Sequence, residues 1–170
     1  MVDKGVKNAI INDRIYKFNG FFDVRTTFND MMKYIENTLI YDITVKEKTE
    51  ETDDGEKLIK SIFEADKKFD EHTRIIIKMT IELEGRDVEK EVDGKKIIVQ
   101  KSSATMFING YYFTDINEEI KKANPFKKFL MKFYYKYVVN DEAALPLVQG
   151  LQDIKAIVER FKIHTNSNIK

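Results

Sequence analysis

The spacing of apolar residues along this chain runs through four regimes: a period of two, a short helical stretch, a long return to two, and a helical period that lasts to the end. Tyr16, Phe18, Phe22 and Val24 share one side of an extended segment, with Lys17, Asn19 and Asp23 mostly on the other and Gly20 placed for a bulge or a close approach. This predicts a first strand over 14–24. Phe28, Met31, Met32, Ile35 and Leu39 then recur at helical spacing behind Thr26 or Thr27, either of which suits an N-cap. A helix of about three turns is expected there.

Between Tyr41 and Asp115 the alternation returns. Ile43 and Val45 alternate with Thr44 and Lys46, the acidic stretch Glu50 to Gly55 predicts a turn, and Leu58 to Ala65 is extended again. Ile75, Ile77, Met79, Ile81 and Leu83 alternate with Ile76, Lys78, Thr80, Glu82 and Glu84, the pattern of a strand with one buried and one largely wet face. Gly85 punctuates the chain beyond that strand, and Asp93-Gly94, between Val88–Val92 and Ile97–Val99, favours a tight primed hairpin. Ala104, Met106, Ile108, Gly110 and Tyr112 share one face of a last long strand. Five or six strands joined by short turns form an antiparallel meander more economically than a parallel sheet.

After Asp115 the spacing becomes helical. Ile116 and Ile120 open a short segment, Asn124-Pro125 reads as an N-cap followed by the first helical residue, and Phe126, Phe129, Leu130, Phe133 and Tyr137 form a stripe. Pro146 opens a further helix whose seam is Leu147, Leu151, Ile154, Val158 and Phe161, weakened only at Gly150. Residues 1–13 and 165–170 carry little periodic apolar content and are expected to fray. A sheet with one apolar face must be covered, and the helical tail is the cheapest cover. The expected fold is α+β: one domain over 14–164, an antiparallel sheet of about six strands gripping a long C-terminal helical segment, in the order β-α-β(5)-α.

Composition narrows the setting. A chain of 170 residues that is 42% hydrophobic can bury one sizeable core. The absence of Cys excludes disulfides, thiolate nucleophiles and Cys-ligated metal sites. No apolar run approaches the roughly 20 residues that span a bilayer. Asp3, Lys4 and Lys7 are not followed by an apolar signal segment, so the expectation is a cytoplasmic protein with no transmembrane segment.

The order of strand, helix, antiparallel strands and C-terminal helix resembles the START-like superfamily, also called Bet v 1-like or polyketide-cyclase-like. The resemblance is one of topology over Arg14 to about Ile163; the tail departs from it, being broken at Pro125 and again between Asn140 and Pro146. It implies an apolar or lipid-like small molecule held between the curved sheet and the C-terminal helix, in proteins that act as carriers, cyclases or adaptors. The walls of such a cavity would come from Phe63, Ile77, Met79, Met106 and Tyr112 of the sheet and Leu147, Leu151, Ile154 and Val158 of the last helix. Met adapts to irregular ligands and Tyr112 offers a hydroxyl. The simpler reading of the same positions is an ordinary packed core.

The charge is uneven although the formal sum is zero. Lys121, Lys122, Lys127, Lys128, Lys132 and Lys136 lie in a window without Asp, Glu or Arg, interleaved with aromatics that include Tyr134 and Tyr135. Such a segment suits docking on a protein partner or a second copy, on an anionic membrane, or on RNA. A solvated face offset by the acidic turn is the simpler reading. Catalytic chemistry is thin: His72 lies in the charged stretch Asp70 to Thr73 and His164 near the end of the chain, and both read as surface histidines. Glycine-rich phosphate loops, nucleophile elbows and His pairs at helical spacing are missing, and Glu82 and Glu84 are explained by solubility. No catalytic residue, cofactor or metal is expected. The function expected is non-enzymatic binding of a small apolar or lipid-like ligand; the alternative is an interaction or adaptor protein working through 121–137.

Overall fold

Long strands with apolar residues at every second position pair here into one antiparallel sheet. The computed structural model describes residues 6–71, 73–92, 95–114, 123–126, 129–130 and 145–166. Its strands are β1 (Val6–Phe21), β2 (Asp42–Asp53), β3 (Glu56–Lys68), β4 (Arg74–Val92) and β5 (Lys95–Thr114). Helix α1 (Val24–Lys33) runs on into a π-helical turn, Tyr34–Thr38, and helix α2 spans Leu145–Asn166. The strand order is β1-β5-β4-β3-β2, so β2 to β5 meander and β1 pairs beside β5.

Among the described residues the strand count is five where about six were expected. Gly85 does not break β4, because it is paired on both sides, with Lys57 and with Ser102. Glycine is required there for close approach: a Cβ would lie 2.6 Å from the Gln100 carboxamide carbon and 2.7 Å from Val24 Cγ2. The Gln100 amide is itself engaged, accepting from the Val24 N–H at 2.8 Å. Residues 6–13, expected to fray, belong to β1, and 6–9 and Ile11 pair with β5. Register shifts between Ala9 and Ile11 and between Ile11 and Arg14 interrupt the alternation, which hid the strand from a period-two reading.

Local chemistry sets the other boundaries. The N-cap of α1 is Asp23, whose carboxylate accepts from the Thr26 N–H at 2.7 Å; Thr27, one of the two expected caps, is buried in the helix instead. The turn in the acidic stretch shrinks to Asp54 and Gly55, both at positive φ, and β2 continues to Asp53. Pro125, Phe126, Phe129 and Leu130 are helical, as the Asn124-Pro125 signal predicts, while 115–122 and 131–144 lie outside the described residues. Pro146 sits in the first turn of α2, where its missing N–H costs nothing.

One face of the sheet carries the core. Ile59, Phe63 and Ala65 of β3, Ile75, Ile77, Met79, Ile81 and Leu83 of β4, and Ala104, Met106 and Ile108 of β5 pack against α1, the π-turn and α2. Each large side chain so buried contributes about 1.5–3 kcal/mol before the entropy of ordering it is counted. From α2 come Ile154, Ile157, Val158 and Phe161, the last with its ring centroid 4.8 Å from that of Phe18. The helix lies down closely: a Cβ on Gly110 would sit 2.6 Å from Ile154 Cδ1, and one on Gly150 would run into Ile10. Gly150, which weakens the helical pattern, is thus where α2 meets β1.

Candidate functional site

Two places in this fold hold more than apolar packing, one beneath α2 and one on the reverse of the sheet. Beneath α2 the Asp153 carboxylate is buried, 4% exposed, in the middle of the apolar seam. It accepts from the Tyr41 hydroxyl at 2.8 Å and from Gln149 Nε2 at 2.8 Å, and Lys67 Nζ lies 3.6 Å away. The Lys67 ammonium also donates to the Leu39 carbonyl at 2.9 Å. Burial, with the Asp153 charge beside it, pushes the Tyr41 phenol far above its ordinary value, so the hydroxyl stays a donor. This cluster pins the π-turn, β3 and α2 together. Farther along α2, Arg160 pairs with Asp30 of α1 at 2.9 Å, and His164 Nε2 lies 2.5 Å from the same carboxylate, so His164 sits half-buried between the helices and not in the surface setting expected of it.

The reverse of the sheet carries an open trough of about 940 Å³. Register and alternation define its floor as two adjacent rows that cross all five strands. One row is Phe21, Lys101, Arg86, Glu56 and Asp53; the next is Asn19, Ser103, Glu84, Leu58 and Glu51. At about 4.8 Å between strands, five strands give a trough roughly 19 Å long. Its charges are partly sorted: Lys101 stands on β5 and Arg86 on β4 with Glu84 beside it, while Glu51, Asp53 and Glu56 stand toward β2, where Lys57 also lines the trough. Arg86 Nε lies 3.7 Å from Glu56, and Ser103 Oγ donates to Glu84 at 3.4 Å. Phe21 and Leu58 supply apolar surface, and Lys90 Nζ stands 4.6 Å from the centre of the Phe21 ring. A smaller hollow of about 310 Å³ lies on the same face between Ile62, Thr80 and Phe107.

The residues expected to wall a ligand cavity divide by position. Phe63, Ile77, Met79, Met106, Ile154 and Val158 come together as buried members of the core cluster, and Tyr112 packs partly buried against it. Leu147 is half-buried. Leu151 is 44% exposed: its place in the stripe is taken by Ile157, because the buried arc of α2 centres on Ile154, Ile157, Val158 and Phe161. Of the basic aromatic segment, Lys121, Lys122, Lys127, Lys128, Lys132, Tyr134, Tyr135 and Lys136 lie outside the described residues, as does His72. Phe126, Phe129 and Leu130 are described, and they are 72%, 64% and 48% exposed.

Sequence reasoning missed both the polar cluster and the trough. Asp153 in the middle of an apolar seam was a readable signal for the first, although its partner Tyr41 is 112 residues away. The trough had none, because outward residues on a strand read as a wet face whatever the curvature of the sheet. Among the described residues no group of His, Asp and Glu could hold a metal ion, and no helix is long and apolar enough to cross a membrane. Compared with protein-family models and with curated proteins, the chain matches none.

Proposed function

We propose that this chain is a non-enzymatic binding protein for a small, partly apolar molecule, and that its site is the trough on the reverse of the sheet. The observation that carries the reading is the concavity itself. About 940 Å³, built by all five strands, matches the size of sites that take small ligands, whereas the residues beneath α2 pack against one another. Phe21 and Leu58 suit an apolar body, and Lys101 suits an anionic end. The element order remains similar to that of START-like carriers, and the reading keeps their class of task while moving the ligand to the other face of the sheet. A cysteine-free sequence suits work in the cytoplasm.

The test is native mass spectrometry of the protein purified from its own organism, repeated on Ser103→Trp, which fills the trough from a half-buried outward position. A retained molecule that is lost in Ser103→Trp, with unfolding unchanged, supports the trough. Retention that survives the substitution places the ligand elsewhere, the space beneath α2 included. A protein that comes off empty under all conditions sinks the reading.

A further inference from the structure

One row of the trough runs Phe21, Lys101, Arg86, Glu56, Asp53 from β1 to β2. By charge that row is neutral, positive, positive, negative, negative. Two pairs of cross-strand neighbours are therefore like charges facing each other, Lys101 opposite Arg86 and Glu56 opposite Asp53. Like charges directly opposite on one face weaken a sheet, and the same residues in alternating order would avoid them. Arg86 and Glu56 relieve each other in the middle, at 3.7 Å. Lys101 is left over on β5, and Asp53, with Glu51 on the same face of β2, is left over at the far end. Among the described residues none of these three has a hydrogen bond or an ion pair. All three line one concavity.

We infer that the trough takes a short extended peptide with free ends, its amine toward Glu51 and Asp53 and its carboxylate toward Lys101. This rests on the reading of the trough as the ligand site and adds the class of ligand. From β5 to β2 there are three strand spacings, about 14 Å, so the ligand must carry a cation and an anion that far apart. An extended residue spans about 3.3–3.6 Å, so a chain of about four residues reaches from one pole to the other and a dipeptide does not. A peptide also answers the floor between the poles. Its N–H groups find the Glu84 carboxylate, its carbonyls the Ser103 hydroxyl, and its side chains the apolar surface of Leu58 and Phe21. A fatty acid would satisfy Lys101 and lay an apolar chain against the acidic pole, and a polyamine would satisfy the acidic pole and repel Lys101.

The experiment is equilibrium dialysis of the protein against a random tetrapeptide pool, read by mass spectrometry, beside a dipeptide pool and tetrapeptide pools acetylated at the amine or amidated at the carboxyl. Free tetrapeptides should be retained above dipeptides, and either cap should lower retention about two- to fivefold, the effect of losing one exposed ion pair. Lys101→Met should abolish the effect of amidation and keep that of acetylation, and Glu51→Gln/Asp53→Asn should do the opposite. Each variant removes a like-charge pair, so urea midpoints should match or exceed that of the parent. Retention indifferent to both caps, or cap effects that persist in the matching variants, overturns the inference. So does a protein that retains no tetrapeptide: if Ser103→Trp still displaces a molecule carried from the organism, the trough stands with another class of ligand, and if it displaces nothing, the reading of the trough falls too.

Discussion

Ile40 sits at φ 58° between the π-turn and β2, a conformation in which a β-branched side chain clashes with its own backbone. Its neighbours hold it there. The Leu39 N–H donates to the Tyr34 carbonyl and the Tyr41 N–H to the Ile35 carbonyl, while the Leu39 carbonyl accepts from Lys67. The Ile40 side chain is 65% exposed and makes little packing of its own. Ile40→Gly should therefore stabilise the protein by about 1 kcal/mol, the left-handed strain relieved less the entropy glycine adds to the unfolded chain, as read by urea unfolding. Next to it, Tyr41→Phe removes one hydrogen bond to a buried carboxylate that keeps Gln149 and Lys67, so a loss of about 1–2 kcal/mol is expected at neutral pH. The pH dependence has a definite sign. Burial raises the Tyr41 phenol in the folded state, so the native protein holds that proton more tightly than the unfolded chain. Its contribution is complete below the ordinary tyrosine value of about 10 and is lost as pH rises beyond it. In alkali the parent should lose stability faster than Tyr41→Phe; parallel curves would remove Tyr41 from the account.

At the scale of elements, the start of α1 is held by one carboxylate. Burial of Asp23 pushes its value up, but the hydrogen bonds from Thr26 and the charges of Lys57 and Arg25 outweigh this and hold it below the ordinary value. Asp23→Ala should cost about 1 kcal/mol, typical of a lost N-cap. A lowered carboxylate contributes stability that is present above its unfolded value and lost as pH falls through the folded one. The difference between parent and Asp23→Ala should accordingly shrink below about pH 4. If thermal unfolding shows the same gap in acid as at neutral pH, hydrogen bonding by the charged carboxylate is not what secures the helix. The elements themselves were largely legible. Strong alternation from Ile75 to Leu83 marked the centre of β4, and the helical seam marked α2. The boundaries were not, since Gly85 and the slips near Ile11 look in sequence like breaks, while in the fold Gly85 is paired on both sides and the slips are register shifts that β1 runs through.

At the scale of the whole molecule, the inner face of the sheet depends on α2. Ile75, Ile77, Ile81, Leu83, Met106 and Ile108 are each fully buried, and the helix over β1 and β5 covers part of that surface. A chain ending at residue 144 exposes that part, although α1 and the π-turn remain packed against the core. Such a truncation should lose cooperative unfolding and near-ultraviolet circular dichroism and should aggregate on concentration. A soluble, cooperatively unfolding product would show instead that α1 and the sheet suffice.

Class and plan were already written in the order of the residues: α+β, antiparallel strands in long alternating runs, a helix after the first strand and a helix at the end. Those follow from periods of two and 3.6 residues, which are local and survive any arrangement of the elements. The remainder arose only in three dimensions. Pairing of β1 beside β5 brought Phe21 and Lys101 into one row with Arg86, Glu56 and Asp53, and so made a trough from residues far apart in the chain. The same folding set Tyr41 against Asp153 and turned Leu151 outward. Each of these depends on how the sheet curves and how α2 is rotated upon it, and both are set by the packing of all the side chains between them.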